Sequence, residues 1–173
     1  GMTSSDNYFV AVSGDDYMPD MFVGRIPAAS QSDASTMVQK IIDYETNSEM
    51  SEWRRNVYLL SGNDPFFETS SQYLYDNLIP KRYITNRLST LTYSEYFGST
   101  QDVADQFNAG QSIVNFIGHG GGGVFFDSEL FLTDDVQRLE NKNKYPVAFS
   151  MTCFIGHFDN PDMPSLAEDL MRV

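Results

Sequence analysis

Short apolar runs alternate with amphipathic stretches along this chain. Asn56 to Ser61, Tyr83 to Leu88, the run from Ile113 into the glycine loop and the run from Val147 towards Cys153 are strand-like and rich in β-branched or aromatic residues. Tyr8 to Ser13 and Met21 to Ile26 read as two shorter β-rich runs, joined by the acidic turn Gly14-Asp15-Asp16-Tyr17-Met18-Pro19-Asp20. Helical spacing fills the intervals. Ser30 with Asp33 forms a capping box with an acid in place of the usual Glu, and Met37, Ile41, Ile42 and Tyr44 carry a helix to about Asn47. Glu68 to Leu78 predicts a second helix with Tyr73, Leu74, Asn77 and Leu78 on its inner face. Thr100 opens a third, which Gly110 stops. Thr133 to Glu140 predicts a fourth, and Ser165 to Val173 reads as a helix cut in mid-run.

Repeated strand–helix alternation predicts an α/β fold with a mostly parallel sheet and helices on both faces. In such sheets chemistry gathers beyond the carboxyl ends of the strands. Two runs end there on reactive side chains. The run from Ser112 passes into Gly118-His119-Gly120-Gly121-Gly122-Gly123, and the run from Val147 ends in Thr152-Cys153. His119 is one of two histidines and Cys153 is the sole cysteine. Neighbouring strand tips can set imidazole beside thiol, as a cysteine nucleophile requires.

Length and charge narrow the function. A chain of 173 residues is one domain or a large piece of one. Its net charge of −13, with only 11 scattered basic residues, argues against a nucleic-acid partner, because phosphate binding needs clustered Lys and Arg. A single cysteine excludes an internal disulfide, and no apolar run is long enough to span a membrane. Gly1-Met2 reads as a remnant of tag removal, so the sequence is expected to be an excised piece.

Each candidate also has an ordinary structural explanation. Most free cysteines are small buried hydrophobes. Cys153 differs in following an apolar strand directly, where a thiol can be partly exposed and a neighbouring imidazole can favour its thiolate. His119 could be an idle loop histidine, but glycines on both sides let backbone N–H groups approach a ligand. The Gly120 and Cys153 N–H groups are the natural pair of oxyanion donors. The glycine loop lacks the Gly-Lys-Ser/Thr ending of a P-loop and the spacing of a dinucleotide fingerprint. His119-Gly120-Gly121-Gly122 matches the oxyanion loop of lipases, but no Gly-x-Ser-x-Gly elbow accompanies it.

Several segments together carry a more specific likeness. They are Phe22 to Pro27, Lys40 to Glu45 with Trp53 after it, Phe107 to Gly110, Val114 to Gly120, Leu139 to Asn141 before Tyr145-Pro146, and Thr152 to Gly156 with Phe158-Asp159 and Ser165 to Glu168. In this order they resemble the gingipain-type cysteine peptidases, a caspase-like family, over most of the chain. The resemblance implies a caspase-like three-layer α/β sandwich, with residues 1–173 forming one partial peptidase domain truncated at both ends. It implies Cys153 as nucleophile, His119 as general base, and Gly120 as the residue sharing the oxyanion hole with Cys153. An acid at the end of an earlier strand orients the family's histidine; after Asn56 to Ser61 that points to Asp64, with Asn63 close behind. Glu68 could supply the acid with which the family's basic-residue peptidases select substrate, although an acid in a helix first turn is also favoured by the dipole.

The implied activity is hydrolysis of peptide bonds in a peptide or protein substrate through a thioester, with no cofactor. Two alternatives stand beside it. One is a sortase-like transpeptidase of a secretion system, towards which Phe158-Asp159-Asn160-Pro161 leans; the other is a catalytically silent binding domain. Location outside the cell or at a bacterial surface is implied by the resemblance alone. His157, four residues after Cys153, reads as a solvent-facing loop residue. Asp6, Asp15, Asp16 and Asp20 could hold the structural calcium known in relatives, but their spacing is not that of an EF-hand and a solvated acidic loop is the simpler reading. No metal ligands are assigned, and the oligomeric state stays open.

Overall fold

A computed structural model describes residues 5–46, 51–125, 130–160 and 162–173 of the chain. Helices are α1 (Gln31–Thr46), α2 (Pro65–Asn77), α3 (Thr100–Ala109) and α4 (Leu166–Arg172). Strands are β1 (Asn56–Ser61), β2 (Ile84–Ser89), β3 (Ile113–Ile117), β4 (Gly120–Gly121), β5 (Val124–Phe125), β6 (Phe131–Leu132) and β7 (Val147–Met151). The main sheet has four parallel strands in the order β2-β1-β3-β7. The chain steps from β1 one way to β2, then back across to β3 and on to β7. Right-handed crossovers therefore put α2 on one face of the sheet and α3 on the other. This is the α/β arrangement, a parallel sheet with helices on both faces, that the strand–helix alternation predicts, and it agrees with the caspase-like sandwich that the resemblance implies.

Pleating divides the apolar runs between those faces. Tyr58, Leu60, Val114 and Phe116 point into the core with Val103, Ala104 and Phe107 of α3, and with Phe131, Val136 and Leu166. Val57 and Leu59, also fully buried, face the other way, towards α2. Phe107 and Phe131 stack with centroids 5.9 Å apart. Burying side chains of this size stabilises the fold by about 1.5–3 kcal/mol each.

Local chemistry sets the helix ends. Asp64 is the N-cap of α2, its carboxylate accepting the Phe66 N–H at 2.7 Å, and Pro65 follows in the first turn. Ser99 and Asp102 form a capping box on α3, and Gly110 ends that helix at a φ of +92°. Ser165 and Glu168 form a largely buried box on α4. At α1, Ser30 Oγ accepts the Asp33 N–H at 3.1 Å, as the sequence suggests.

Three expectations need correction, and one element is new. Tyr8 to Ser13 and Met21 to Ile26 are not strands: a 3-10 turn spans Asp6–Phe9, and the rest is irregular chain without a sheet partner. Helix α2 begins three residues earlier than Glu68, because the Asp64-Pro65 pair starts it. Its inner stripe is Phe67, Ser71 and Leu74, while Tyr73 and Leu78 are exposed. Thr133 to Arg138 is a 3-10 helix rather than an α-helix. The glycine loop opens a small antiparallel sheet, β4-β5-β6, that no sequence pattern announced.

Helix α1 packs against α4. Arg172 reaches Asp33 at 3.5 Å while also pairing with Glu168 and Asp169 in its own helix. Lys40 Nζ donates to the Leu170 carbonyl at 2.8 Å and to the Val173 carbonyl, with the Tyr145 ring 4.6 Å away. Burial lowers the Lys40 ammonium to about 8. In the unfolded chain it stays protonated to about 10.4, so between these values the unfolded state holds more protons and stability rises with pH. Denaturant unfolding of the wild type and Lys40→Met at pH 7.5 and 9.5 checks this. The stability difference should move in favour of the wild type at the higher pH.

Candidate active site

The pairing of β3 with β7 sets the site. Ile117 lies opposite Met151 at the carboxyl ends of these strands, and parallel neighbours lie about 4.8 Å apart. His119 and Cys153 each come two residues beyond that pair. The adjacency continues past the ladder, with the Gly118 N–H donating to the Met151 carbonyl at 3.4 Å. At Gly120 an added Cβ would lie 2.3 Å from Thr152 Oγ1 and 2.9 Å from the Cys153 carbonyl oxygen. Only glycine fits there. At Gly118 an added Cβ would meet the Gly62 backbone at 3.3 Å, and the Gly62 N–H donates to the Ile117 carbonyl at 2.9 Å, so β1 also closes on this tip.

Both reactive side chains are open to solvent: Cys153 is a free, exposed thiol, and His119 is exposed on its glycine loop. The backbone turns sharply after the thiol, since Phe154 adopts a φ of +57°, a left-handed conformation uncommon outside glycine. Ile155 then buries and anchors the loop. Helix α4 joins the two tips: the Leu166 N–H donates to the Gly122 carbonyl at 2.8 Å, and the Ala167 N–H to the Ile155 carbonyl at 3.1 Å. Farther along the Cys153 loop, His157 Nε2 and Asp159 Oδ1 are 2.9 Å apart. The expected solvent-facing His157 is thus half-buried and partnered. The Arg25 guanidinium lies 3.8 Å over the Phe158 ring and pairs with Asp6, whose carboxyl it holds below the usual range.

The remaining candidates lie around α2. The Phe67 ring meets the His119 imidazole edge-to-face, centroids 5.1 Å apart at 85°. Asp64 sits at the cap of the same helix, its carboxylate on the Phe66 N–H, and Asn63 is exposed beside it. Among the described residues no hydrogen bond joins either of them to His119. The Glu68 carboxylate accepts from Ser89 Oγ at 2.7 Å and from Ser94 Oγ at 3.0 Å, at the carboxyl end of β2. The acidic N-terminal residues serve the local backbone: Asp20 accepts the Val12 and Ser13 N–H groups, both at 2.8 Å, and Asp16 accepts that of Met18. Among the described residues no group of three His, Cys, Asp or Glu side chains could hold a metal. Phe67, the Phe154 turn and the Arg25–Phe158 contact were not foreseen; the Asp64-Pro65 helix start was the visible signal for Phe67.

The parallel α/β sheet carries a thiol and an imidazole on adjacent strand tips. The profile of peptidase family C25 matches residues 2–173, and the chain belongs to that family. It is 30% identical to gingipain R2 of Porphyromonas gingivalis over 97% of its own length and 23% of the relative's. It is 27% identical to Lys-gingipain of the same organism over 98% of this chain and 10% of that one. The crystal structure of the Arg-specific cysteine proteinase gingipain R superposes with a TM-score of 0.82 at 25% identity, covering 98% of this chain and 40% of that chain. The chain thus spans less than a quarter of the curated relatives it matches.

Gly120 gives a direct test of how tightly the tips abut. Gly120→Ala should destabilise the protein by about 1–3 kcal/mol through overpacking. Thr152 Oγ1 is buried without a hydrogen-bond partner among the described residues, so Thr152→Ala removes the nearest colliding atom. The double substitution should recover part of the loss, read as a coupling free energy in denaturant unfolding. Strict additivity would contradict the contact.

Proposed function

We propose that this chain carries the nucleophile and base of a cysteine endopeptidase. The abutment of Gly118–Gly120 on Met151–Cys153 is the observation that supports it best, because it brings the His119 and Cys153 backbones side by side with both side chains open to solvent. His119 takes the Cys153 proton, and the thiolate attacks a peptide carbonyl. The N–H groups of Gly120 and Cys153 stabilise the oxyanion. As that intermediate collapses, the C–N bond breaks and His119 returns the proton to the leaving amine. A thioester remains, and water activated by the same imidazole releases the acid.

Glu68 is proposed to favour a basic side chain in the substrate. Each of its oxygens accepts one serine hydroxyl and keeps capacity for a further donor. Asp64 is proposed to help orient His119. The substrate is a peptide or protein segment, the reaction as drawn uses no cofactor, and the likeness to gingipains supports action outside the cell or at its surface. No described helix is long and apolar enough to cross a membrane.

The test is labelling of the full-length protein with a thiol-reactive peptide probe at neutral pH. Stoichiometric modification at Cys153 is expected, slowed about 10²-fold or more in His119→Ala, as for loss of a general base. An unlabelled Cys153 in the complete protein would favour a silent binding domain. Glu68→Gln should weaken labelling by probes with Arg or Lys at the reacting position more than labelling by neutral probes.

A further inference from the structure

We infer that Phe67 is the positioning residue of His119, and that Asp64 acts on the imidazole through Phe67, as the cap of α2 rather than as a hydrogen-bond partner. This role rests on His119 being the base for Cys153.

The contact itself is specific. The two rings meet edge-to-face at 5.1 Å and 85°, a favoured aromatic geometry. It also agrees with the pleat: His119 has the parity of Ile117, Val57 and Leu59, on the face that α2 covers. Phe67 is fixed from both sides. On one, Asp64 Oδ1 accepts the Phe66 N–H at 2.7 Å and the Asp64 carbonyl accepts the Phe67 N–H at 2.9 Å. On the other, Glu68 is held by the hydroxyls of Ser89 and Ser94. The Phe66 ring adds an edge contact to Phe67 at 6.0 Å. The ring against the imidazole therefore belongs to a first helical turn secured by its cap and by its link to β2.

The two possible roles of Asp64 differ in charge. A carboxylate bonded to imidazole stabilises the imidazolium and raises its pKa. A cap fixes the Phe67 ring and sets no charge against the imidazole. Asparagine caps helices as well as aspartate does, whereas alanine does not. Asp64→Asn and Asp64→Ala thus separate the roles, at an exposed position where neither change disturbs the core.

In the full-length protein, the rate of Cys153 modification by a peptidyl acyloxymethyl ketone is measured from pH 5 to 9. The variants are Phe67→Leu, Phe67→Tyr, Asp64→Ala, Asp64→Asn and His119→Ala. Phe67→Leu is expected to slow modification about three- to tenfold, the range an aromatic pair is worth, with Phe67→Tyr restoring most of the rate. Asp64→Ala is expected to slow it several-fold, as for loss of a cap. Asp64→Asn should recover most of that loss, with its acid-side midpoint where the wild type has it. Phe67→Leu matching the wild type would overturn the inference. So would Asp64→Asn losing as much as Asp64→Ala with the midpoint moved to lower pH, which would mark a direct carboxylate–imidazole bond. If His119→Ala reacts as fast as the wild type, the dyad fails and the inference falls with it; a slow His119→Ala beside a fast Phe67→Leu removes the inference alone.

Discussion

Two backbone hydrogen bonds from the first turn of α4 close the frame on which the site depends. The first N–H groups of a helix have no partner within it. In α4 the Ser165–Glu168 box satisfies the Ser165 and Glu168 N–H groups, and the two between them go elsewhere: Leu166 to the carbonyl of Gly122, Ala167 to that of Ile155. One acceptor lies three residues after His119 and the other two after Cys153. The β3–β7 ladder fixes the tips from below and α4 fixes the loops that leave them. Leu166 is fully buried in the same core as Phe116 and Tyr58, so the helix cannot shift without opening that core. Separation of imidazole and thiol is therefore a property of the whole α/β packing, not of two loops.

Within that frame the thiol sits on the more strained backbone. A left-handed Phe154 costs of order 1–3 kcal/mol and persists only where its surroundings over-determine it. Several contacts supply that determination: buried Ile155, the His157–Asp159 pair, and the Arg25 guanidinium over Phe158. Arg25 comes from the irregular N-terminal segment, where Asp6 aligns it. A stretch without a sheet partner thus still bears on the Cys153 loop, through one cation–π contact and one ion pair.

Much of this was legible in the sequence, because strands with apolar runs and helices with caps declare themselves locally. Asn56 to Ser61 matches β1 residue for residue, and Thr100 with Gly110 brackets α3. What escaped depends on partners far along the chain. Tyr8 to Ser13 and Met21 to Ile26 have strand-like composition, but composition cannot say whether another strand lies alongside. The glycine loop reads as a loop, yet Val124-Phe125 pairs back on Gly120-Gly121 and Phe131-Leu132 pairs with Val124-Phe125 in turn. The inner stripe of α2 runs through Phe67, Ser71 and Leu74 at i, i+4 and i+7; a helix begun at Glu68 leaves out Phe67, the residue that marks this stripe, and Tyr73 lies off it. At the site, His119, Cys153 and Gly120 were placed by reading where apolar runs stop. Phe67 was not, because a phenylalanine in a helix gives no sign that its packing partner is a reactive ring.

That choice of partner has a physical logic. An imidazole exposed among glycines has little to limit its rotation, and a base must hold one orientation to take a proton from a neighbouring thiol. A carboxylate would limit the rotor and also stabilise the charged ring. The edge of a phenyl ring limits it by shape and brings no formal charge. Asp64 faces a competing demand: its short side chain already satisfies an otherwise unpaired N–H of α2, and an aspartate so engaged is held close to its own backbone. In this geometry the carboxylate serves the helix, the helix presents the aromatic ring, and the ring confines the imidazole.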